Sequence, residues 1–73
     1  MICYDPFWNT LNKKGMSTYD LIYKQGFSSN TVHRLKHNLA ITTKTLNDLC
    51  FVLCCSVEDI IVYRIDEEDN KRK

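Results

Sequence analysis

Apolar residues recur three or four positions apart along most of the chain, which is the spacing of one face of an α-helix. The first such stretch follows Asp5-Pro6 and places Phe7, Trp8 and Leu11 on one face. An aspartate can cap a helix, and proline is tolerated in its first turn, where no backbone donor is missed. We therefore predict a first helix that opens at Asp5-Pro6 and ends at Gly15.

A second helix is predicted from its N-terminal signal. Ser17 and Asp20 have the spacing of a capping box, in which each side chain bonds the backbone N–H of the other residue. Met16 precedes the cap, where an apolar residue packs back onto the helix. Gly26 then interrupts the pattern, so the helix ends near Gln25.

The third helix is short and mostly polar. Ser28 is its predicted cap, and the helix runs to about His37, before Asn38 as a left-handed stop. Val32 and Leu35 are its only strongly apolar residues, three positions apart. One narrow stripe should pack on the core, which leaves the remainder of the helix facing solvent.

The fourth stretch is the most apolar and begins near Thr42 or Thr43. Its core positions follow a three-four repeat, at Leu46, Leu49, Cys50 and Leu53. Ser56 and Asp59 repeat the capping-box spacing and predict a short fifth helix containing Val57, Ile60 and Ile61. An extended strand is the alternative for the end of this segment, VEDIIVYRI.

Composition agrees with a small all-α protein of five helices. The chain has 73 residues, of which 44% are hydrophobic, with two glycines and one proline, so short helices with tight connections fit better than many strands. We predict one domain over residues 1–65 and a charged tail over 66–73. Neither a secretory signal nor a membrane-length apolar run is visible, so we expect a cytoplasmic protein with reduced thiols and no membrane contact.

Charge is distributed unevenly along the chain. Residues 1–47 carry six Lys/Arg and two Asp, a net of +4, whereas residues 48–73 carry four Lys/Arg and seven Asp/Glu, a net of −3. From Leu21 to Asn47 there is no acidic residue. Such a polarised molecule has one face suited to an anion.

The second and third helices with the turn at Gly26 form a helix-turn-helix pattern over residues 17–37. In this motif the second helix lies in the major groove with its N-terminal residues against base edges. Ser29, Asn30 and Thr31 are small and polar, so they allow a close approach. The acid-free window also avoids repulsion from phosphates. The sequence therefore predicts binding of double-stranded DNA.

At these residues the chain resembles the lambda-repressor/Cro-type helix-turn-helix domain, also called the XRE family. The resemblance covers residues 16–61 and rests on an ordered set of positions: Met16-Ser17, Leu21, Gly26-Phe27-Ser28, Thr31-Val32, Leu35, Leu46, Leu53 and Ser56-Val57-Glu58-Asp59-Ile60. Residues 4–8 and the stretch ITTKTLNDLC are similar to very small bacterial regulators from Gram-positive species. The resemblance implies a compact lambda-repressor-like fold, a homodimer and transcriptional regulation. Repression is the expected mode because a bare DNA-binding domain can act by occlusion.

Carried over by position, the family's base-reading sites fall on Ser29, Asn30, His33 and Arg34. The polar residue that opens the second helix and braces the DNA backbone falls on Thr18, where the family usually has glutamine. The full set expected to contact or attract phosphates is Thr18, Lys24, Thr31, Lys36, His37 and Lys44. The apolar segment IIVYRI is the candidate dimer interface.

Two other kinds of chemistry are alternatives to DNA binding for the histidines and the cysteines. His33 and His37 could share a metal across one helical turn, but a site needs three or four ligands and no carboxylate is near in sequence. We expect no metal site and no cofactor. Cys50, Cys54 and Cys55 could sense oxidation, with Cys55 as the most exposed candidate and Cys50 as a core residue.

An enzyme is not expected, because a small helical domain offers no deep pocket and the chain has no phosphate-binding glycine loop. No catalytic residue and no small-molecule ligand are predicted. The alternative from another class is a protein-interaction module, such as a partner-binding antitoxin-like or regulatory subunit, that keeps the fold without binding DNA.

Overall fold

The computed structural model describes residues 1–65, and the charged tail predicted at 66–73 lies outside the described residues. Four α-helices follow one another along the chain: α1 (Asp5–Lys13), α2 (Thr18–Tyr23), α3 (Ser29–Lys36) and α4 (Thr43–Leu53). A 3-10 turn (Val57–Asp59) comes next, and strands β1 (Ile2–Cys3) and β2 (Val62–Tyr63) lie near the two ends of the described chain.

Side-chain caps fix the starts of three helices. Ser17 and Asp20 form the predicted capping box of α2, with the Asp20 amide donating to Ser17 Oγ at 3.2 Å. The Thr31 amide donates to Ser28 Oγ at 3.1 Å at the start of α3. The Thr45 amide donates to Thr42 Oγ1 at 3.1 Å at the start of α4. Each cap satisfies a backbone donor that the helix itself leaves without a partner.

The helix ends use left-handed residues. Gly15 and Gly26 have φ of +67° and +80°, which glycine adopts without steric cost. Asn38 follows α3 with φ of +53°, as predicted, and Cys54 follows α4 with φ of +51°. The bend at Asn38 turns the chain from α3 into the loop that leads to α4.

The helices surround one core. Its buried members come from every helix and from both flanking segments: Tyr4, Phe7, Leu11, Leu21, Leu35, Leu49, Leu53 and Ile60. Phe27, in the turn between α2 and α3, also packs against this cluster. Phe51 does not belong to the core, because 81% of it is exposed on α4.

Two predictions about helix positions are corrected. The expected count of five α-helices is not met, because the fifth is a single 3-10 turn whose Ser56–Asp59 capping box is present but is followed by a strand. Ile60, Ile61 and Val62 are β-branched and favour an extended chain. Asp5 is the first residue of α1 rather than its cap, and its carboxylate pairs with Arg64 at 3.1 Å.

The chain ends of the described region meet in a two-stranded antiparallel ribbon. Ile2 lies opposite Tyr63, and Cys3 lies opposite Val62. The Arg64 amide extends the ladder by donating to the Met1 carbonyl at 2.9 Å. The 3-10 turn is also tied to α1, since the Phe7 amide donates to the Ile60 carbonyl at 3.2 Å. These contacts hold the first and last described segments on the helical core.

Candidate nucleic-acid interface

The third helix presents one face to solvent and buries the other. Val32 and Leu35 are 5% and 1% exposed and hold α3 on the core. The four residues predicted to read bases are all exposed on the opposite side: Ser29, Asn30, His33 and Arg34. The described structure thus places the predicted reading residues on one solvent-facing surface, with no acidic side chain among them.

The helix cap uses one of the predicted contact residues. The hydroxyls of Ser28 and Thr31 lie 2.9 Å apart, and the Thr31 amide is already bonded to Ser28 Oγ. Thr31 is half-buried. Its side chain therefore helps to order the first turn of α3, a role that the sequence pattern assigned to Ser28 alone.

Arg34 is engaged with the loop that follows its own helix. Its Nη1 donates to the Ala40 carbonyl at 3.1 Å, and its backbone carbonyl accepts from the Leu39 amide at 2.8 Å. A guanidinium carries five N–H donors in a planar fork, so one bond to the loop leaves donors for a second partner. The side chain most suited to guanine is thus held by the α3–α4 loop.

Tyr4, between β1 and α1, also holds the α3–α4 loop. Its hydroxyl donates to the Leu39 carbonyl at 2.6 Å, and its backbone amide donates to Asn38 Oδ1 at 3.1 Å. Burial raises the pKa of the Tyr4 hydroxyl, while the nearby positive charge of Arg34 and a hydrogen bond with the Ile41 backbone act in the opposite direction. Sequence reasoning missed this role, since a tyrosine beside a predicted cap gives no signal of a partner 35 residues away.

A notch of about 440 Å³ lies between α3 and the start of α4. Asn30 and Arg34 line it from α3, and Thr42 and Thr45 line it from the beginning of α4. The first turn of a helix carries partial positive charge, which favours an anion there. The two threonines were not predicted as site residues, and their capping pattern is the signal that could have indicated them.

His33 and His37 contact each other on the exposed side of α3. Their ring centroids are 4.4 Å apart, with the planes inclined at 49°. Within residues 1–65, no three His, Cys, Asp or Glu side chains lie close enough together to hold a metal ion. The contact follows from the four-residue spacing, which stacks side chains on one helical face.

The predicted phosphate-contacting lysines differ in their surroundings. Lys24 pairs with Asp20 at 3.3 Å, and Lys44 pairs with Asp48 at 3.1 Å. Both aspartates border the acid-free window and lie four residues from their lysines, a helical spacing that could have indicated these pairs. Lys36 is exposed at the end of α3. Exposed pairs at this spacing contribute little free energy, so a phosphate can replace the carboxylate at small cost.

The start of α2 is ordered by its capping box. Thr18 is the first helical residue and is half-buried. The pKa of the Asp20 carboxyl is held below its usual range. The hydrogen bond from the Ser17 backbone is the largest cause, and the hydrogen bond from the Lys24 ammonium is the second. Asp20 therefore stays ionised at neutral pH, and it both caps α2 and holds Lys24.

The thiols are distributed differently from the prediction. Of the three cysteines in and just after α4, Cys54 is exposed. Cys55, which was expected to be the most exposed, is half-buried, as is Cys50. The left-handed backbone at Cys54 causes this, because it turns the chain so that Cys55 packs back on the core. None of the helices within residues 1–65 is both long and apolar enough to span a bilayer.

Comparisons with known proteins agree with this architecture. Residues 7–66 match the family model of the Cro/C1-type helix-turn-helix DNA-binding domain. Among solved structures, the chain is similar to the transcriptional regulator VanUg in crystal form II. That alignment has a TM-score of 0.81 and 26% sequence identity, and it covers 89% of this chain and 87% of that chain. A search of curated proteins finds no match. Because the family model spans most of the sequence, the chain belongs to the family of Cro/C1-type helix-turn-helix DNA-binding domains.

Proposed function

We propose that this protein binds double-stranded DNA sequence-specifically, with the helix over residues 28–37 in the major groove. The observation that carries the proposal is the exposed, acid-free face of α3, which is held on the core by Val32 and Leu35. On this face Ser29, Asn30, His33 and Arg34 meet base edges. An asparagine suits adenine and an arginine suits guanine, because each offers two hydrogen bonds in the geometry of the base edge.

The surrounding polar and basic residues contact the phosphates. Lys36 and His37 follow the recognition surface at the end of α3. Thr18 and Lys24 act from α2, Lys44 acts from α4, and Thr31 borders the notch beside Arg34. A phosphate seated near this notch meets the Arg34 charge and the positive end of α4 together.

Two copies act together on one duplex, with half-sites about one helical turn apart. The surface that would join them lies in the predicted segment IIVYRI, where Tyr63 and Ile65 are 64% and 76% exposed while Ile60 is buried. Ile65→Asp should lower the association constant of the dimer, measured by sedimentation equilibrium. It should leave the urea midpoint of the monomer unchanged. An unchanged dimerisation constant would remove this segment from the interface.

The homodimer would repress transcription in the bacterial cytoplasm by occluding a promoter. Selection of bound sequences from a random duplex pool tests this function. We expect enriched half-sites with a fixed spacing, and loss of enrichment for Asn30→Ala. Asn9→Ala is the matched control, because Asn9 is an exposed asparagine on α1. A pool that shows no enrichment for the native chain would reject sequence-specific binding.

A second candidate function is favoured by an apolar groove of about 380 Å³ beside β1 and the α3–α4 loop. Ile2, Leu39, Ile41, Leu46 and Ile61 line it, as expected for a surface that binds protein. A protein-interaction module with this groove would elute unchanged from size exclusion when duplex DNA is added. A DNA-binding protein would co-elute with the duplex at low salt and separate from it at high salt.

A further inference from the structure

The end of α4 brings two thiols together. Cys54 adopts the left-handed conformation, the Cys54 amide donates to the Phe51 carbonyl at 3.4 Å, and the Cys55 amide donates to the Cys50 carbonyl at 3.1 Å. These paired bonds define a Schellman motif, in which the second residue beyond the helix contacts the residue in its last turn. Cys55 and Cys50 occupy those two positions.

The Cys50–Cys55 pair differs from Cys54 in its burial and its neighbours. Cys50 and Cys55 are both half-buried and pack against the same core cluster. Burial, followed by the neighbouring Cys50 thiol and the Asp59 carboxylate, raises the pKa of the Cys55 thiol. The Lys14 ammonium acts in the opposite direction. Cys54 is exposed and its thiol points to the Phe51 carbonyl, at 3.7 Å.

We propose that Cys50 and Cys55 form an oxidisable thiol pair that closes to an intramolecular disulfide. With a small disulfide such as oxidised glutathione as the oxidant, a thiolate of the pair attacks one sulfur of the oxidant and releases one glutathione thiolate. The second thiol then loses its proton, attacks the protein-side sulfur of the mixed disulfide and releases the second glutathione. Two protein thiols are oxidised, and one disulfide is reduced to two thiols.

The motif and the local charges set the expected rates. The second step is intramolecular between side chains that the backbone already holds together, so the mixed disulfide should not accumulate. The thiolate is the attacking species, and burial, Cys50 and Asp59 disfavour it at Cys55 more than Lys14 favours it. Closure should therefore be slow at neutral pH and should accelerate as the pH rises.

The test uses the full chain with excess oxidised glutathione, followed by alkylation of the remaining thiols and intact mass measurement. We expect one internal disulfide, seen as the loss of two hydrogens and of two of the four alkylatable thiols. Glutathione bound to the exposed Cys54 is a separate addition, and it should be absent from Cys54→Ser. Chymotrypsin, which cleaves after aromatic and large aliphatic residues, should open the segment between the two cysteines. It should leave two peptides joined by a disulfide.

Variants identify the bonded residues. Cys54→Ser and Cys3→Ser should still close the disulfide at the native rate. Cys50→Ser and Cys55→Ser should instead retain glutathione as a stable mixed disulfide, and circular dichroism checks that each remains helical. The proposal is overturned if Cys54→Ser abolishes closure, or if the native chain gives only mixed disulfides or disulfide-linked dimers. The Cys54→Ser result is decisive even if a half-buried variant fails to fold.

Discussion

The guanidinium of Arg34 connects the proposed reading surface to the loop behind it. One nitrogen bonds the Ala40 carbonyl at 3.1 Å, and the side chain also lines the notch beside α4. A side chain held in this way loses less conformational freedom when it meets a base, because part of that entropy is already lost in the free protein. Lysine at this position would keep the charge but lose the planar fork.

Replacing Arg34 separates charge from geometry. Arg34→Ala should reduce affinity for duplex DNA. If Arg34 pairs with a guanine, discrimination at that base should fall by about 1–3 kcal/mol. Arg34→Lys should recover part of the affinity through phosphate attraction without recovering the discrimination. Fluorescence anisotropy on the selected site and on a single-base variant, at one salt concentration, measures both quantities.

Lys13→Ala is the control for lost positive charge, because Lys13 is exposed at the end of α1, outside the predicted interface. Its affinity should stay close to that of the native chain. If Arg34→Ala and Lys13→Ala behave alike on both duplexes, Arg34 acts only through long-range charge and does not read a base.

The Tyr4 hydroxyl should contribute measurably to stability. Tyr4→Phe removes its hydrogen bond to the Leu39 carbonyl, and a lost bond of this kind costs about 1 kcal/mol of the free energy of unfolding. Urea denaturation followed by circular dichroism measures the change. Tyr23→Phe is the matched control, because Tyr23 is 71% exposed and its loss should leave the urea midpoint unchanged. Equal midpoints for the two variants would show that the Tyr4 bond contributes nothing.

The raised pKa of Tyr4 also predicts a pH dependence. Burial favours the protonated hydroxyl in the folded state, so the unfolded chain loses this proton first, above about pH 10. The folded state then binds more protons, and the free energy of unfolding falls as pH rises further. Cys55 contributes in the same direction because its pKa is also raised. Tyr4→Phe should therefore show a shallower alkaline decline than the native chain, and an identical decline would contradict the role of burial.

At the scale of residues, the sequence predicted which side chains of α3 face solvent better than it predicted which side chains bond the loop. The spacing of Val32 and Leu35 was enough to place His33 and Arg34 on the opposite, exposed face. It could not show that Arg34 bonds Ala40 or that Tyr4 bonds Leu39, because such bonds depend on how the loop and β1 pack. Base contact remains a prediction for four exposed residues, Ser29, Asn30, His33 and Arg34.

At the scale of elements, the cap of α3 links stability to the proposed binding. Ser28→Ala removes the side chain that bonds the Thr31 amide and should cost about 1 kcal/mol of the free energy of unfolding. A frayed first turn would also misplace Ser29 and Asn30, so affinity should fall with it. Urea denaturation and anisotropy on the same protein samples measure the two effects.

Ser28→Asp distinguishes the cap from the charge. Aspartate caps a helix as well as serine does, so stability should stay close to that of the native chain. The added negative charge would lie near the phosphates, so affinity should still fall, and the loss should shrink as salt screens it. An affinity equal to that of the native chain at low salt would place the start of α3 away from the DNA.

The predicted fifth helix shows that a capping box does not by itself determine whether a full helix follows. Ser56 and Asp59 form their box, yet only the 3-10 turn Val57–Asp59 follows it. Helix extension competes with pairing between Val62–Tyr63 and Ile2–Cys3, and the β-branched sequence favours the strand. The pairing joins residues about sixty positions apart, which local periodicity cannot reveal. The starts of α2, α3 and α4 were predictable because each cap bonds within three residues.

At the scale of the whole molecule, the charge asymmetry of the sequence is modified by local pairs. The net +4 of residues 1–47 includes Lys24 and Lys44. Both ammonium groups lie beside aspartates, Asp20 and Asp48. The electrostatic attraction available to DNA is thus weaker at these two lysines than the sequence count indicates. Affinity should still fall linearly on a log-log plot against salt, by about 0.9 per neutralised phosphate.

The Lys44–Asp48 pair allows the phosphate contact to be tested directly. The pair is 3.1 Å long and its side chains are 84% and 43% exposed, so breaking it costs little stability. Asp48→Asn releases Lys44 and should raise affinity for duplex DNA, whereas Lys44→Gln should lower affinity and reduce the salt slope by about 1. Anisotropy titrations across a salt series measure both the affinity and the salt slope.

Glu58→Gln removes an equal charge from the exposed 3-10 turn and controls for net charge. If Lys44 contacts a phosphate, the gain from Asp48→Asn exceeds that from Glu58→Gln and disappears in the Lys44→Gln background. Equal gains in both backgrounds would mean that Asp48 acts only through its charge and that Lys44 lies outside the interface.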